Sequence, residues 1–238
     1  MTVAGEPAPP APGAGARGGA RESLALLIWL SLTGMLVVLS FLPAAEGGRN
    51  GGEPEVIYRY STVVGGVIQS AILIGVALGA GTLLPGRLRA LGFNPFPRRA
   101  LLQAAGVVAA AFAVGIALEP VLEAGEKQGL APEQWHPELL TPFVLNVILF
   151  AVIGPFTEEL YFRGLGGAVL RRFGPALAIA GTAVLWSLVH GLVEAIPTLL
   201  VLGIGFGWIR MRYESIWPAF IAHGAYNGLA IAVSVGLT

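Results

Sequence analysis

Phe156-Thr157-Glu158-Glu159-Leu160-Tyr161-Phe162-Arg163 puts three charged side chains into the middle of an otherwise apolar run from Phe143 to about Phe173. That run is long enough to span a hydrocarbon core of roughly 30 Å. A charged side chain at the centre of a spanning helix costs on the order of 2.5 to 3.5 kcal/mol even on the mildest insertion scale, so the cluster implies partners and a function. Two histidines on later apolar segments, His190 and His223, are the candidates to face it.

The rest of the chain has the same character. Of 238 residues, 55% are hydrophobic and 12% charged, with a mean hydropathy of +0.75. This is the composition of a multi-pass membrane protein, and the expected fold is an all-α, polytopic transmembrane helical bundle. The expected location is the cell membrane, with the lipid bilayer as first partner. A formal net charge of zero points to no nucleic-acid partner. Cysteine and aspartate are both absent, which removes disulfides, thiolate metal sites and cysteine nucleophiles, and leaves Glu, His, Ser and Thr as reactive groups.

Residues 1–22 are rich in Ala, Pro and Gly without an apolar period and read as a flexible cytoplasmic tail. Residues 23–238 form the membrane domain. Seven spans are expected within it: Leu24 to Leu42, Thr62 to Leu84, Leu101 to Leu122, Phe143 to about Phe173, Ala176 to Val193, Ile196 to Ile209 and Trp217 to Leu237. The sixth, 14 residues long, is the short one. Arginines at 17, 21, 87, 89, 98, 99, 163, 171, 172, 210 and 212 then share one side, and Arg49, Arg59 and Lys127 the other. By the positive-inside rule the N-terminus is in and the C-terminus out. Gly203-Ile-Gly205-Phe-Gly207 and similar small-residue patches predict close helix contact.

Heights within the membrane follow from counting along antiparallel helices. Glu158 lies sixteen residues before Gly174 and His190 sixteen after it, each about 24 Å from that turn, so the two are level. His223 and Asn227 lie roughly 14 and 20 Å along the last span and, as i and i+4, share a face. Glu159 and Arg163 are also i and i+4, with the acid first, the favourable order for a helix ion pair. Glu158 points about 100° away from Glu159. The pair Glu159 and Arg163 is therefore expected to support the site, and Glu158 to carry chemistry.

Glu-Glu-x-x-x-Arg at 158 to 163, aromatic-x-x-x-His at Trp186 to His190, and His-x-x-x-Asn at 223 to 227, in this order on successive apolar segments, resemble the CPBP family of intramembrane proteases. That family includes CAAX prenyl endopeptidases and bacteriocin-processing or self-immunity proteins. The likeness covers a protease-like core at 143–237, with Trp186 standing where the family often has Phe. It implies hydrolysis of peptide bonds in membrane-associated peptide or protein substrates. It also implies that Glu158 with His190 activates water, that His223 and Asn227 stabilise the oxyanion, and that Glu159 and Arg163 support them. No obligatory cofactor is expected. If a divalent metal such as Zn binds, its ligands are Glu158, His190 and His223. Two other functions use the same residues: a proton-coupled carrier with a Glu/His relay, and a non-catalytic immunity or scaffold protein.

Overall fold

A computed structural model describes residues 14–42, 55–124 and 135–236, and all regular structure among them is helical. Seven elements follow the chain: α1 (Ala14–Phe41), α2 (Tyr60–Gly81), α3 (Arg98–Leu122), α4 (Pro137–Phe173), α5 (Pro175–Leu188), α6 (Val193–Tyr213) and α7 (Trp217–Gly236). Residues 1–13, most of the proposed tail, lie outside the described residues, as do Arg49, Lys127 and Leu237. Helix α1 already begins at Ala14, inside that tail. No proline follows Pro12 there, and Ala and Arg favour a helix.

Six of these helices are long and apolar enough to cross a membrane, and α5 is the shorter seventh. The expectation of a short sixth span is corrected. Helix α6 runs 21 residues, because a 3-10 turn leads into it at Val193 and Arg210 and Arg212 continue it beyond the apolar window. Helix α5 has only 14 residues, about 21 Å, and stops at Leu188 instead of Val193. Gly191, at φ 67°, turns the chain, and a Cβ at that position would run into the carbonyl of Ser40 on α1. Non-helical backbone at membrane depth is sustainable only against protein or a water-filled cavity, and here the turn is packed against α1.

Helix α4 is the central post. Every residue from Glu159 to Gly167 is buried, with α2, α5 and α7 against it. It is not uniformly α-helical: π-helical turns occupy Leu149–Ile153 and Glu159–Gly166. Such turns widen the backbone ladder and are frequent at functional sites. Around this post α5 packs on α6, α6 on α3, and α3 on α7. The glycine patch works as expected, since Gly203 and Gly207 lie against α5 at Ala183 and Ile179, and Gly205 faces Val107 of α3. Outward positions such as Leu102, Ile116 and Val121 are more than 70% exposed, as a lipid-facing belt requires.

Arg87, Arg89, Arg98, Arg171, Arg172 and Arg212 gather at one end of the bundle, near the ends of α2, α3, α4 and α6. Arg163 does not belong to that count. It is buried inside α4 on Glu159, so it says nothing about loop orientation. The remaining asymmetry still predicts opposite sides for the two termini. Reporter fusions at Met1 and Thr238 should read cytoplasmic and external respectively, and the same side for both would mean that α5 does not complete a pass.

Candidate active site

Glu158 closes the short α-helical turn Gly154–Glu158, between the two π turns of α4. Its Oε2 accepts a hydrogen bond from Trp186 Nε1 at 2.5 Å. The same oxygen lies 4.0 Å from His190 Nε2 and 3.9 Å from His223 Nε2. The level heights counted along α4 and α5 therefore correspond to real proximity. His190 stands just past the end of α5, and its Nδ1 is 2.7 Å from the Trp186 carbonyl. A carbonyl can only accept, so Nδ1 carries the hydrogen and Nε2 of the neutral ring presents a lone pair to Glu158.

His223 is oriented by a different group. Its Nδ1 lies 3.1 Å from Glu159 Oε1, and the carboxylate again assigns the hydrogen to Nδ1. Arg163 Nη1 donates to that same oxygen at 3.0 Å, and neither Glu159 nor Arg163 has any side-chain exposure. Glu159 Oε2 and two guanidinium nitrogens, Nε and Nη2, are without hydrogen bonds among the described residues. The guanidinium lies instead over the Trp186 ring at 4.4 Å and near the Phe206 ring at 5.9 Å, a cation–π seat for the remaining charge. Trp186 thus touches both halves of the motif, its N–H on Glu158 and its face on Arg163.

Asn227 follows His223 by one turn of α7. Its Nδ2 donates to the Phe150 carbonyl, inside the first π turn of α4, at 2.9 Å. Asn227, Glu158, His190 and His223 all border one cavity of about 440 Å³, together with Pro155 and Trp186. Glu159 and Arg163 do not border it. The cavity reaches the partly exposed residues Glu119, Ala195 and Ser234, at the end of the bundle opposite the arginines. Glu119, directly before Pro120 near the end of α3, therefore lies on its wall. Ser187 does not: it is buried and bonded back to Ala183 of its own helix at 2.9 Å. His136 is remote from the cluster and pairs with Glu138 at 2.9 Å.

The donor set does not fit a zinc ion as it stands. Ligands about 2.1 Å from tetrahedral zinc lie about 3.4 Å from one another. Glu158 Oε2 is farther than that from both Nε2 atoms and already holds the Trp186 hydrogen bond. Among the described residues no group of three His or Glu side chains has metal-binding spacing.

Trp186 enters the reading of the sequence only as the aromatic of the second motif. A tryptophan in an apolar helix is usually packing or an interface anchor. Its N–H, however, must find an acceptor when buried, and Glu158 is the carboxylate at its depth. Compared with known families, residues 140–229 match the type II CAAX prenyl endopeptidase Rce1-like family. No curated protein and no solved structure matches the chain.

Proposed function

We infer, from the premise that this chain belongs through residues 140–229 to the CPBP family of intramembrane proteases, that Glu158 and His190 activate the water that attacks a substrate peptide bond. The observation supporting this is the convergence of two histidine Nε2 atoms on one carboxylate oxygen, within 4.0 Å, at the wall of a cavity. Groups 4.0 Å apart can both reach one water lying beside the line between them, at about 2.8 Å from each. Glu158 takes the proton as the water oxygen bonds to the carbonyl carbon, and returns it to the departing amine as the C–N bond breaks. His190, fixed by its Nδ1 hydrogen bond, orients the water.

The carbonyl oxygen becomes an oxyanion on the side of α7. There Asn227 has a second N–H beyond the one spent on Phe150. His223, when protonated, offers Nε2–H while its Nδ1–H stays held on Glu159. Donors already fixed where charge develops are worth far more than mobile water. Substrates enter from the end of the bundle opposite the arginines, along an apolar wall that includes Leu199 and Tyr226. With the N-terminus inside, that end is external, and the membrane is the cell membrane. Peptide segments presented at the membrane surface are the substrate class.

Comparison of membranes carrying the native chain with membranes carrying Glu158→Gln tests this reading. The variant should accumulate an uncut precursor that the native chain removes. Identical peptide profiles would sink it.

Trp186 has a separate expected effect. Trp186→Phe removes the N–H that holds Glu158 but leaves an aromatic face for Arg163. A hydrogen bond to a charged group is worth about 1.5 to 3 kcal/mol, so kcat should fall by roughly tenfold or more. KM should change little, and Tm should fall by only a few degrees, since Trp186 is fully buried and the smaller ring packs less well there. Unchanged kcat would show that Glu158 needs no such positioning.

A further inference from the structure

At the arginine-rich end, residues 82–97 fold back onto the turn joining α6 to α7. Side chains pin them there. Arg210 Nη2 donates to the Ala90 carbonyl at 2.6 Å, and Asn94 Nδ2 donates to the carbonyls of Arg89 at 2.9 Å and Glu214 at 2.6 Å. Ser215 Oγ donates to Asn94 O at 2.8 Å, and the Ile216 N–H donates to Gly92 O at 3.1 Å. Gly92 has φ 92°, and a Cβ there would stand 2.8 Å from Arg210 Nε, so the glycine both forms the turn and seats the guanidinium.

Between this loop and the turn is a pocket of about 780 Å³, bordered by Arg89, Arg171, Arg210, Asn94, Phe93 and Glu214. Three guanidiniums face one carboxylate. Glu214 is already engaged by Arg171 at 2.7 Å, and that bond and charge hold its carboxyl below the usual range. Arg210 is only 3% exposed, pairs with no carboxylate among the described residues, and leaves Nε and Nη1 without hydrogen bonds. Arg89 likewise makes no ion pair among the described residues. Glu214 is near enough to act on Arg210 but is paired with Arg171, so the buried guanidinium shares one carboxylate with its neighbours, and an anion in the pocket would offset the excess positive charge.

We propose that this pocket binds a phosphate group, carried either by an anionic phospholipid headgroup or by a soluble phosphate compound. Planar guanidinium forks match phosphate oxygens better than other anions. The pocket lies at the bundle's end beside Phe93, Tyr213 and Trp217, the aromatic setting of a membrane interface. Basic pockets between helices at such an interface suit anionic headgroups. The proposal is independent of the peptidase reading.

The test is thermal unfolding of the purified full chain in neutral detergent. Phosphatidylglycerol, phosphatidylcholine and sodium pyrophosphate are added separately. Phosphatidylglycerol, pyrophosphate or both should raise Tm by on the order of 5 °C when well above the dissociation constant, and phosphatidylcholine should not. A response to phosphatidylglycerol alone assigns the lipid; a response to pyrophosphate assigns a soluble phosphate. The pair Arg89→Gln and Arg171→Gln should lose most of the shift, while Arg87→Gln with Arg98→Gln, outside the pocket, should keep it. If the first pair does not fold, Arg89→Gln alone, which breaks no ion pair, should at least halve the shift. The pocket is overturned if neither anion raises Tm, or if the pocket variants and the outside pair respond alike.

Discussion

Glu158→Gln should abolish turnover while the protein inserts, purifies and melts as the native chain does. A positioned general base contributes about a hundredfold to ten-thousandfold, and glutamine can take no proton. The remainder of the side chain is preserved. Glutamine keeps an oxygen to accept the Trp186 N–H, and Glu158 is 29% exposed at the cavity with no buried cation depending on it alone. Peptide cleavage and detergent Tm measured on the same preparation give the result. Residual cleavage within tenfold of native would remove Glu158 from the reaction, and a Tm loss matching that of the structural pair would make it part of the scaffold.

Arg163→Ala is expected to fail in the opposite way, through folding. Glu159 and Arg163 share a site with no exposure, and truncating one partner leaves the other charge stranded, typically a loss of about 3 to 5 kcal/mol. That is a large part of the roughly 5 to 15 kcal/mol of a whole domain. The cation–π seat on Trp186 goes with it. Tm should fall by about 10 °C and the yield of folded protein with it. Activity should drop as well, since Glu159 orients His223. Arg163→Lys keeps the charge without the planar fork and should fall between the two. A stable but inactive Arg163→Ala would move Arg163 from support into chemistry.

Much of this was legible in the chain. The helical class follows from apolar runs, because only hydrogen-bonded helices satisfy the backbone through lipid at that composition. The pairing of Glu159 with Arg163 follows from their spacing and their cost in the membrane, and it forms at 3.0 Å. The approach of His190 to Glu158 follows from equal counts on either side of Gly174, an argument robust to small errors because both helices start from one turn. Harder to read were the ends of elements. Gly191 ends α5 five residues before Val193, where the expected span closes, because its positive φ is used against Ser40 of a helix about 150 residues earlier, a contact that no local period encodes.

The residue types that can do acid-base chemistry, their order and their approximate depth were determined by the sequence alone, since burial cost and helical rise depend only on what each residue is and how far along it lies. Which oxygen faces which ring was decided by tertiary structure. Trp186 becomes the hydrogen-bond donor to Glu158 only because the two π turns of α4 and the early end of α5 bring that indole, both imidazoles and one carboxylate into a single cavity. Such convergence depends on where the backbone departs from the regular α-helix, which is set by the helices packed around it and by no local period.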